Sequence, residues 1–213
     1  MQLKIDLHVH TQHSYDGLIT PEELIHYAKK RGLDGVAITD HDTIEGALKI
    51  MRRTNFLIIP GIEVSSLNGH VVGLNVCEVI PKGLSVEETI DKIHDAGGIA
   101  VACHPATFFK RNLGKHVNAK FDAVEVINAS AFPFKYSVKR SREFAQSLGV
   151  AQVAGSDAHY SPEIGYAYTI VDAEPKVTSI IEFLTKGFCE PFGEPIPLSL
   201  RLKRILLRFK KRF

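Results

Sequence analysis

The sequence predicts an α/β fold with a largely parallel sheet. Short apolar runs alternate with amphipathic stretches along the chain, and similar polar side chains follow most of the runs. Alternation of strands and helices is typical of a parallel sheet whose strands are joined by helical crossovers. With 213 residues, the chain is long enough for one well-packed domain and short for two.

Eight apolar runs are the predicted strands. They span residues 3–9, 35–39, 56–64, 71–76, 99–103, 123–127, 151–154 and 167–171. Helix starts lie between them: Thr20 precedes Pro21 and Glu23, and Ser85 precedes Glu88. A hydroxyl followed three residues later by a glutamate is a capping box, and proline is favoured in the first turn of a helix. These signals predict helices after the first and fourth strands.

Composition excludes several classes of protein. The chain is 45% hydrophobic and 23% charged, as ordinary globular proteins are. Cys77, Cys103 and Cys189 lie far apart, so neither a disulfide framework nor a cysteine zinc site is indicated. No apolar run reaches the roughly 18 residues of a membrane helix, and Met1 leads into a strand-like segment instead of a signal peptide. We therefore expect a cytoplasmic protein without a transmembrane segment.

Polar side chains, mostly His and carboxylates, stand at or just beyond the ends of most predicted strands. In a closed α/β barrel the carboxyl ends of the strands converge on one face, where active sites are built. We therefore expect these side chains to lie close together. They are His8, His10, His41, Glu63, His104, Asn128, Asp157 and His159.

The residue types at these positions suit metal ions. His8 and His10 are two residues apart, so their imidazoles point to the same side of an extended strand and can bind one ion. Alone, such a pair is also compatible with two surface histidines. Glu63 ends another apolar run, and a carboxylate can bridge two cations through its two oxygens. Repetition of the pattern at several strand ends favours a metal site.

Five short motifs, in order along the chain, resemble the PHP domain of the polymerase and histidinol phosphatase superfamily, and the resemblance covers nearly the whole chain to about residue 190. The motifs are His8-Val9-His10, Thr39-Asp40-His41, Gly61-Ile62-Glu63, Cys103-His104-Pro105 and Ser156-Asp157-Ala158-His159. The resemblance implies a distorted (β/α)7 barrel that binds two or three ions of manganese, zinc or iron. It also implies hydrolysis of a phosphate ester by a hydroxide that bridges two of the ions.

The resemblance also implies a set of metal ligands. They are His8, His10, Glu63 and Asp157 for the first ion, Glu63, His70 and His104 for the second, and Asp16, His41 and His159 for the third. Mixed imidazole and carboxylate ligands suit zinc, manganese or iron, and the absence of thiolates from the set argues against a purely structural zinc site. Glu63 and Asp157 are expected to be essential for activity because both would contact metal.

Two of the implied ligands have competing interpretations. His13 competes with Asp16 for the ligand position in the loop after the first strand. Asn68 and Gly69 predict a two-residue hairpin turn and an antiparallel pairing. Such a turn would place His70 some four residues beyond Glu63 along the ladder unless a bulge intervenes.

The residues that bind substrate are less clearly indicated. Lys110 and Arg111 lie in a basic loop after His104, over residues 106–118, which either binds the uncleaved part of the substrate or is a solvated surface loop. Asn128 either binds a substrate phosphate or hydroxyl, or caps the following turn. A nucleotide, a short oligonucleotide end and a sugar phosphate all suit the site.

The net charge of +2 conceals a basic carboxyl-terminal segment. Residues 201–213 hold seven Lys/Arg and no acid, which leaves 19 basic against 24 acidic residues, or −5, for residues 1–200. We expect a barrel over residues 1–197 and a helix over residues 198–213. On a helical projection one side is apolar and the other basic. The two sides carry Leu198, Leu202, Ile205, Leu206, Phe209 and Phe213, and Arg201, Arg204, Arg208 and Lys211.

This helix is expected either to pack its apolar side on the barrel or on a second subunit, or to bind nucleic acid or an anionic membrane surface through its basic side. Because every implied ligand precedes residue 160, removal of this helix is expected to leave the metal site and turnover intact.

Two functions are open. The first is a metal-dependent phosphoesterase. The second is a metal-stabilised module with little or no catalysis that binds nucleic acid or membrane through the helix.

Overall fold

The structure, a computed structural model, describes residues 1–108 and 112–211. The predicted substrate contacts Lys110 and Arg111 lie outside the described residues, as does Phe213.

Nine strands form one sheet within the part of the chain that the structure describes. They are β1 (Gln2–Val9), β2 (Gly35–Ile38), β3 (Leu57–Ser66), β4 (Gly69–Leu74), β5 (Ile99–Ala102), β6 (Ala123–Asn128), β7 (Ala151–Gly155), β8 (Ala167–Asp172) and β9 (Cys189–Gly193). The eight predicted strands are all present. Strand β9 was not predicted, because its Cys-Glu-Pro-Phe-Gly sequence lacks the apolar alternation that identifies a strand.

The helices are α1 (Pro21–Lys30), α2 (Glu45–Met51), α3 (Val86–Asp95), α4 (Phe134–Leu148), α5 (Val177–Thr185) and α6 (Leu198–Lys211). Both predicted capping boxes form, since Thr20 and Ser85 each accept a hydrogen bond from the backbone N–H of the glutamate three residues later. No described helix combines the length and the apolar composition needed to cross a lipid bilayer.

The sheet is a nearly closed barrel. Its strand order is β7-β6-β5-β4-β3-β2-β1-β8-β9, and an isolated parallel bridge from Val9 to Ala158 joins the end of β1 to the segment after β7. Apolar side chains of alternate strands, Ile5, Ile59 and Val153, share one buried cluster, as expected inside a barrel. The α/β barrel prediction is therefore confirmed.

The predicted number of seven strand–helix units, a (β/α)7 barrel, is not confirmed. Strands β3 and β4 are joined by a turn and pair in antiparallel orientation, and β4 is also antiparallel to β5. Strand β8 is antiparallel to both β1 and β9. The parallel pairs are β1–β2, β2–β3, β5–β6 and β6–β7.

Helix α6 faces the barrel with its basic side, so the expectation that its apolar side packs on the barrel is wrong. The guanidinium of Arg201 donates hydrogen bonds to the backbone oxygens of Ala129 and Ser130 at 2.8 and 3.2 Å. The apolar side is turned outward, with exposed side chains that include Leu198 and Leu206. A polar, acidic rim below the helix explains this orientation, because arginine binds carbonyl and carboxylate oxygens better than leucine does. Packing of the apolar side on a second subunit stays a prediction, as does the domain boundary at residue 197.

Candidate metal centre

All nine residues implied as ligands converge at one end of the barrel. The ligand atoms of three or four side chains lie within 4.8 Å of one another in several overlapping groups of the described residues. These groups contain His8, His10, Asp16, His41, Glu63, His70, His104, Asp157 and His159. The strand ends therefore bring together side chains that are up to 151 positions apart in the sequence, as the barrel geometry requires.

Glu63 lies at the centre of the cluster and is almost fully buried. Its Oε2 is 3.2 Å from His8 Nε2 and 3.0 Å from His10 Nε2. Its other oxygen, Oε1, is 2.8 Å from both His70 Nδ1 and His104 Nε2. Oε2 is also 3.3 Å from His41 Nδ1. The two oxygens thus face different sets of imidazoles, which is the arrangement that a bridging carboxylate requires.

Two aspartates, Asp157 and Asp16, lie near the ligands implied for the third ion. Asp157 Oδ1 lies 3.4 Å from both His10 Nε2 and His159 Nδ1. Asp16 Oδ2 lies 3.1 Å from His159 Nε2. His13 is directed elsewhere, with its Nδ1 3.9 Å from Glu45, so the geometry favours Asp16 over His13 as the loop ligand.

The hairpin turn lies one residue earlier than the sequence signal indicated, and this difference brings His70 to the site. Ser66 pairs with Gly69, and Ser65 pairs with His70, so Leu67 and Asn68 form the turn. His70 is therefore two positions, not four, from Glu63 along the ladder. Diagonal neighbours on one face of an antiparallel pair are within reach of long side chains, and no bulge is needed.

Two of the implied ligands have left-handed backbone conformations. The φ angles of His104 and Asp157 are +33° and +54°, a region that residues other than glycine rarely adopt. The backbone N–H of Asp157 donates to the carbonyl of His8 at 2.8 Å, and the N–H of His104 donates to Glu125 at 2.7 Å. Backbone strain held in place by such bonds clusters at functional sites.

Sequence reasoning missed Glu125, which supports the cluster from behind. This buried carboxylate accepts from the backbone N–H of His104 and lies 3.0 Å from His8 Nδ1 through its other oxygen. A hydrogen bond to the second ring nitrogen orients a metal-binding imidazole. A glutamate inside the apolar sequence Val-Glu-Val-Ile of β6 was the available signal, because a charged residue in a buried strand needs a partner.

Asn128 contacts this carboxylate rather than the cavity, so its predicted role in binding substrate is not supported. Its side-chain N–H groups donate to Glu125 at 2.9 Å and to Asp157 at 3.2 Å. Its side-chain oxygen accepts from the N–H of Ser130. The alternative interpretation, capping of the following turn, agrees with these contacts.

Asp6 is a second buried carboxylate that the sequence did not single out as functional. It accepts from the backbone N–H groups of Ser156 at 2.8 Å and Gly165 at 2.9 Å. Burial raises the pKa of Asp6 to about 6, against the opposing effect of its hydrogen bonds. Asp6 thereby ties β1 to the segment that carries Asp157 and His159.

The charges of the cluster fit divalent cations. Burial favours the neutral ring of His8, but the carboxylates of Glu125 and Glu63 raise its pKa to about 10. Burial lowers the pKa of His41 to about 3. Burial also opposes ionisation of Glu63, yet the imidazoles of His41 and His8 hold its pKa well below the usual range. The buried carboxylates thus hold a proton on His8, and divalent cations would supply the same positive charge when His8 gives up that proton to bind metal.

The geometric groups differ from the implied ligand sets in two respects. His10 lies close enough to join Asp16, His41 and His159, and the thiol of Cys103 lies with Glu63 and His104. Cys103 Sγ donates a hydrogen bond to the backbone oxygen of His70 at 3.2 Å. Imidazole, carboxylate and thiol donors together suit transition metals rather than magnesium or calcium.

A cavity of about 190 Å³ opens above the cluster. Glu63 and the implied ligands around it form its floor, and Arg204 and Arg208 of α6 form part of its wall. Tyr15, whose side chain is exposed, stacks on His41 with ring centroids 5.0 Å apart. The predicted active face thus carries an additional wall, supplied by the carboxyl-terminal helix.

Replacing Glu125 with glutamine is expected to lower metal affinity by about 10- to 100-fold, because outer partners that orient metal ligands typically have effects of this size. Titration of the metal-free variant and of the metal-free native protein with metal measures the two affinities. Glu22→Gln is a matched control, since Glu22 is an exposed glutamate on α1. Equal affinities for the Glu125 variant and the native protein would contradict the supporting role.

A barrel whose strand ends carry this cluster has the architecture of metal-dependent hydrolases. The model of the PHP domain family matches residues 6–201, and the chain belongs to that family. It is a metal-dependent phosphoesterase by class.

Individual proteins are similar to the chain in sequence or in fold. An uncharacterised protein of Methanocaldococcus jannaschii is 39% identical over 60% of this chain and 82% of its own length. The 5′–3′ exoribonuclease Rnm of Salmonella typhimurium is 44% identical over 33% of this chain, but only 27% of the exoribonuclease is matched. A two-domain protein of Bacteroides vulgatus containing a PHP-like metal-dependent phosphoesterase is similar in fold, with a TM-score of 0.74 and 16% identity over 98% of this chain and 70% of its own.

Proposed function

We propose that the protein hydrolyses a small phosphate ester, such as a nucleotide, a short oligonucleotide end or a sugar phosphate, with two or three bound ions of manganese, zinc or iron. The observation that carries the proposal is the position of Glu63, whose two oxygens face different imidazoles on the floor of a small cavity. Bound cations would lower the pKa of water and neutralise charge on the phosphoryl group.

The residues of the chain would contribute position and charge to this chemistry. Glu63 would hold two ions at a fixed separation, with His8 and His10 on one side and His70 and His104 on the other. Asp157, and Asp16 with His41 and His159, would complete the ligand set. Arg204 and Arg208 also line the cavity and would add positive charge beside a bound phosphate.

The orientation of α6 counts against the non-catalytic alternative. Arg201, Arg204 and Arg208 are directed at the barrel or its cavity, so they are not displayed for an extended nucleic acid or a membrane surface. Binding of nucleic acid through these three arginines therefore receives no support from the helix geometry, and a phosphorylated small molecule is the partner we propose.

Hydrolysis of a panel of phosphate esters tests the proposal. The purified protein should hydrolyse at least one ester, lose activity when chelator removes the metals, and regain it with manganese, zinc or iron. Activity that survives complete metal removal would contradict the proposal, as would inactivity of fully metal-loaded protein towards nucleotides, sugar phosphates and short oligonucleotides alike.

A further inference from the structure

Helix α6 directs three arginines at the barrel, and two of them, Arg204 and Arg208, line the cavity. Arg201 is engaged by backbone oxygens at the end of β6. Arg204 Nη1 lies 2.9 Å from Oε2 of Glu163, which is fully buried. Arg208 Nη2 lies 3.7 Å from Asp16 Oδ2, which is too long for a hydrogen bond. Arg208 thus forms a long ion pair with Asp16 and presents its guanidinium to the cavity.

Arg204 fixes the helix to the site. Glu163, its partner, also accepts from the backbone N–H groups of His159 at 3.1 Å and Tyr160 at 3.2 Å. The same carboxylate therefore holds both α6 and the segment that carries His159. This link sets the distance between the arginines and the floor of the cavity, so Arg208 is held beside the cluster.

The size of the cavity limits what can bind between floor and wall. A volume of about 190 Å³ is below the roughly 300 Å³ or more of pockets that hold drug-sized ligands. The space suits one phosphoryl group with a few atoms of its substituent. A phosphodiester has a second substituent, and we expect that substituent to meet the side chains of α6 in the cavity wall.

We propose that Arg208, with Arg204 beside it, binds the phosphoryl oxygens of the substrate, and that α6 thereby selects phosphate monoesters and terminal phosphates over internal phosphodiesters. This inference rests on the proposed function. A monoester dianion carries one more negative charge than a diester and has substituents on one side only, so it gains more from a guanidinium and fits under the helix.

Substitution of Arg208 tests the inference with two probes. Arg208→Gln should lower kcat/KM for 4-nitrophenyl phosphate by about 10- to 100-fold, the range expected for loss of a charged hydrogen bond, and should lower that for bis(4-nitrophenyl) phosphate less. Arg208→Lys should recover part of the loss, because lysine keeps the charge without the planar pair of donors. Metal content, measured for each variant, should equal that of the native protein.

Lys203 provides the matched control. It lies on the same helix, is exposed, and has its Nζ 5.8 Å from the ring centroid of Tyr160. Lys203→Gln removes the same charge without touching the cavity wall and should leave both kinetic constants unchanged. A loss in this variant equal to that of Arg208→Gln would overturn the inference, because it would reflect the general field of the helix.

Binding of inorganic phosphate to metal-loaded protein, measured by calorimetry, separates this inference from the proposed function. Arg208→Gln should weaken the phosphate Kd about 10-fold or more. An unchanged Kd, or equal losses for the monoester and the diester, would overturn the inference even in an active enzyme. Phosphate binding that depends on Arg208 in a protein that hydrolyses none of the nucleotides, sugar phosphates and short oligonucleotides of the panel would support the inference and contradict the proposed function.

Discussion

Replacing Glu63 with glutamine should nearly abolish hydrolysis. Loss of the bridging charge removes the ligand shared by both halves of the cluster, and bound metal supplies several kcal/mol of transition-state stabilisation. At 1.36 kcal/mol per tenfold, kcat should fall about 10³-fold or more. Elemental analysis should show fewer metal ions per chain than in the native protein, which distinguishes a lost metal site from a weakened substrate contact.

Glu22→Gln is the matched control for this change, because Glu22 is exposed on α1. The control should keep native turnover and metal content. Asp157→Asn should resemble Glu63→Gln, since Asp157 lies within 3.4 Å of two of the implied histidine ligands. Near-native kcat in Glu63→Gln with saturating metal would mean that the bridging role is assigned to the wrong residue.

Ending the chain at residue 197 should also impair the enzyme severely. The truncation removes Arg204 and Arg208 from the cavity wall, and kcat/KM for a monoester should fall about 10²-fold or more if each charged hydrogen bond contributes a typical amount. The metal content should remain. Thermal stability should fall, because Glu163 loses its cationic partner.

This expectation reverses the one drawn from sequence, where the helix was an appendage without influence on turnover. Lys203→Gln combined with Lys210→Gln is a control that removes two exposed charges of α6 and keeps the helix. If the truncated protein is folded by circular dichroism and retains native kcat/KM, α6 is no part of the site. If the truncated protein unfolds, the Arg208 variants test whether α6 is part of the site.

Much of the fold could be predicted because the local signals agreed with one another. Apolar runs marked the strands, and capping boxes at Thr20 and Ser85 marked two helices. Strand β9 escaped because its five residues include a proline and only one strongly apolar residue. The turn before β4 was displaced by one residue, since an Asn-Gly pair indicates a turn without fixing which two residues form it.

The site was predictable where ligands follow strands, and less so where other elements contribute. His8 and His10 are recognisable from their spacing, and Glu63 from its place at the end of an apolar run. Glu125 was hidden because it acts through a neighbouring imidazole. A helical projection could not predict which side of α6 faces the barrel. It compares the sides by hydrophobicity and contains no information about the carboxylates and carbonyls beneath the helix.

Metal stoichiometry tests the central claim most directly. Protein purified without chelator, and protein reloaded with manganese or zinc, should each contain at least two transition-metal ions per chain by elemental analysis, because Glu63 faces imidazoles through both of its oxygens. A content below one ion per chain that does not rise after reloading would contradict the account.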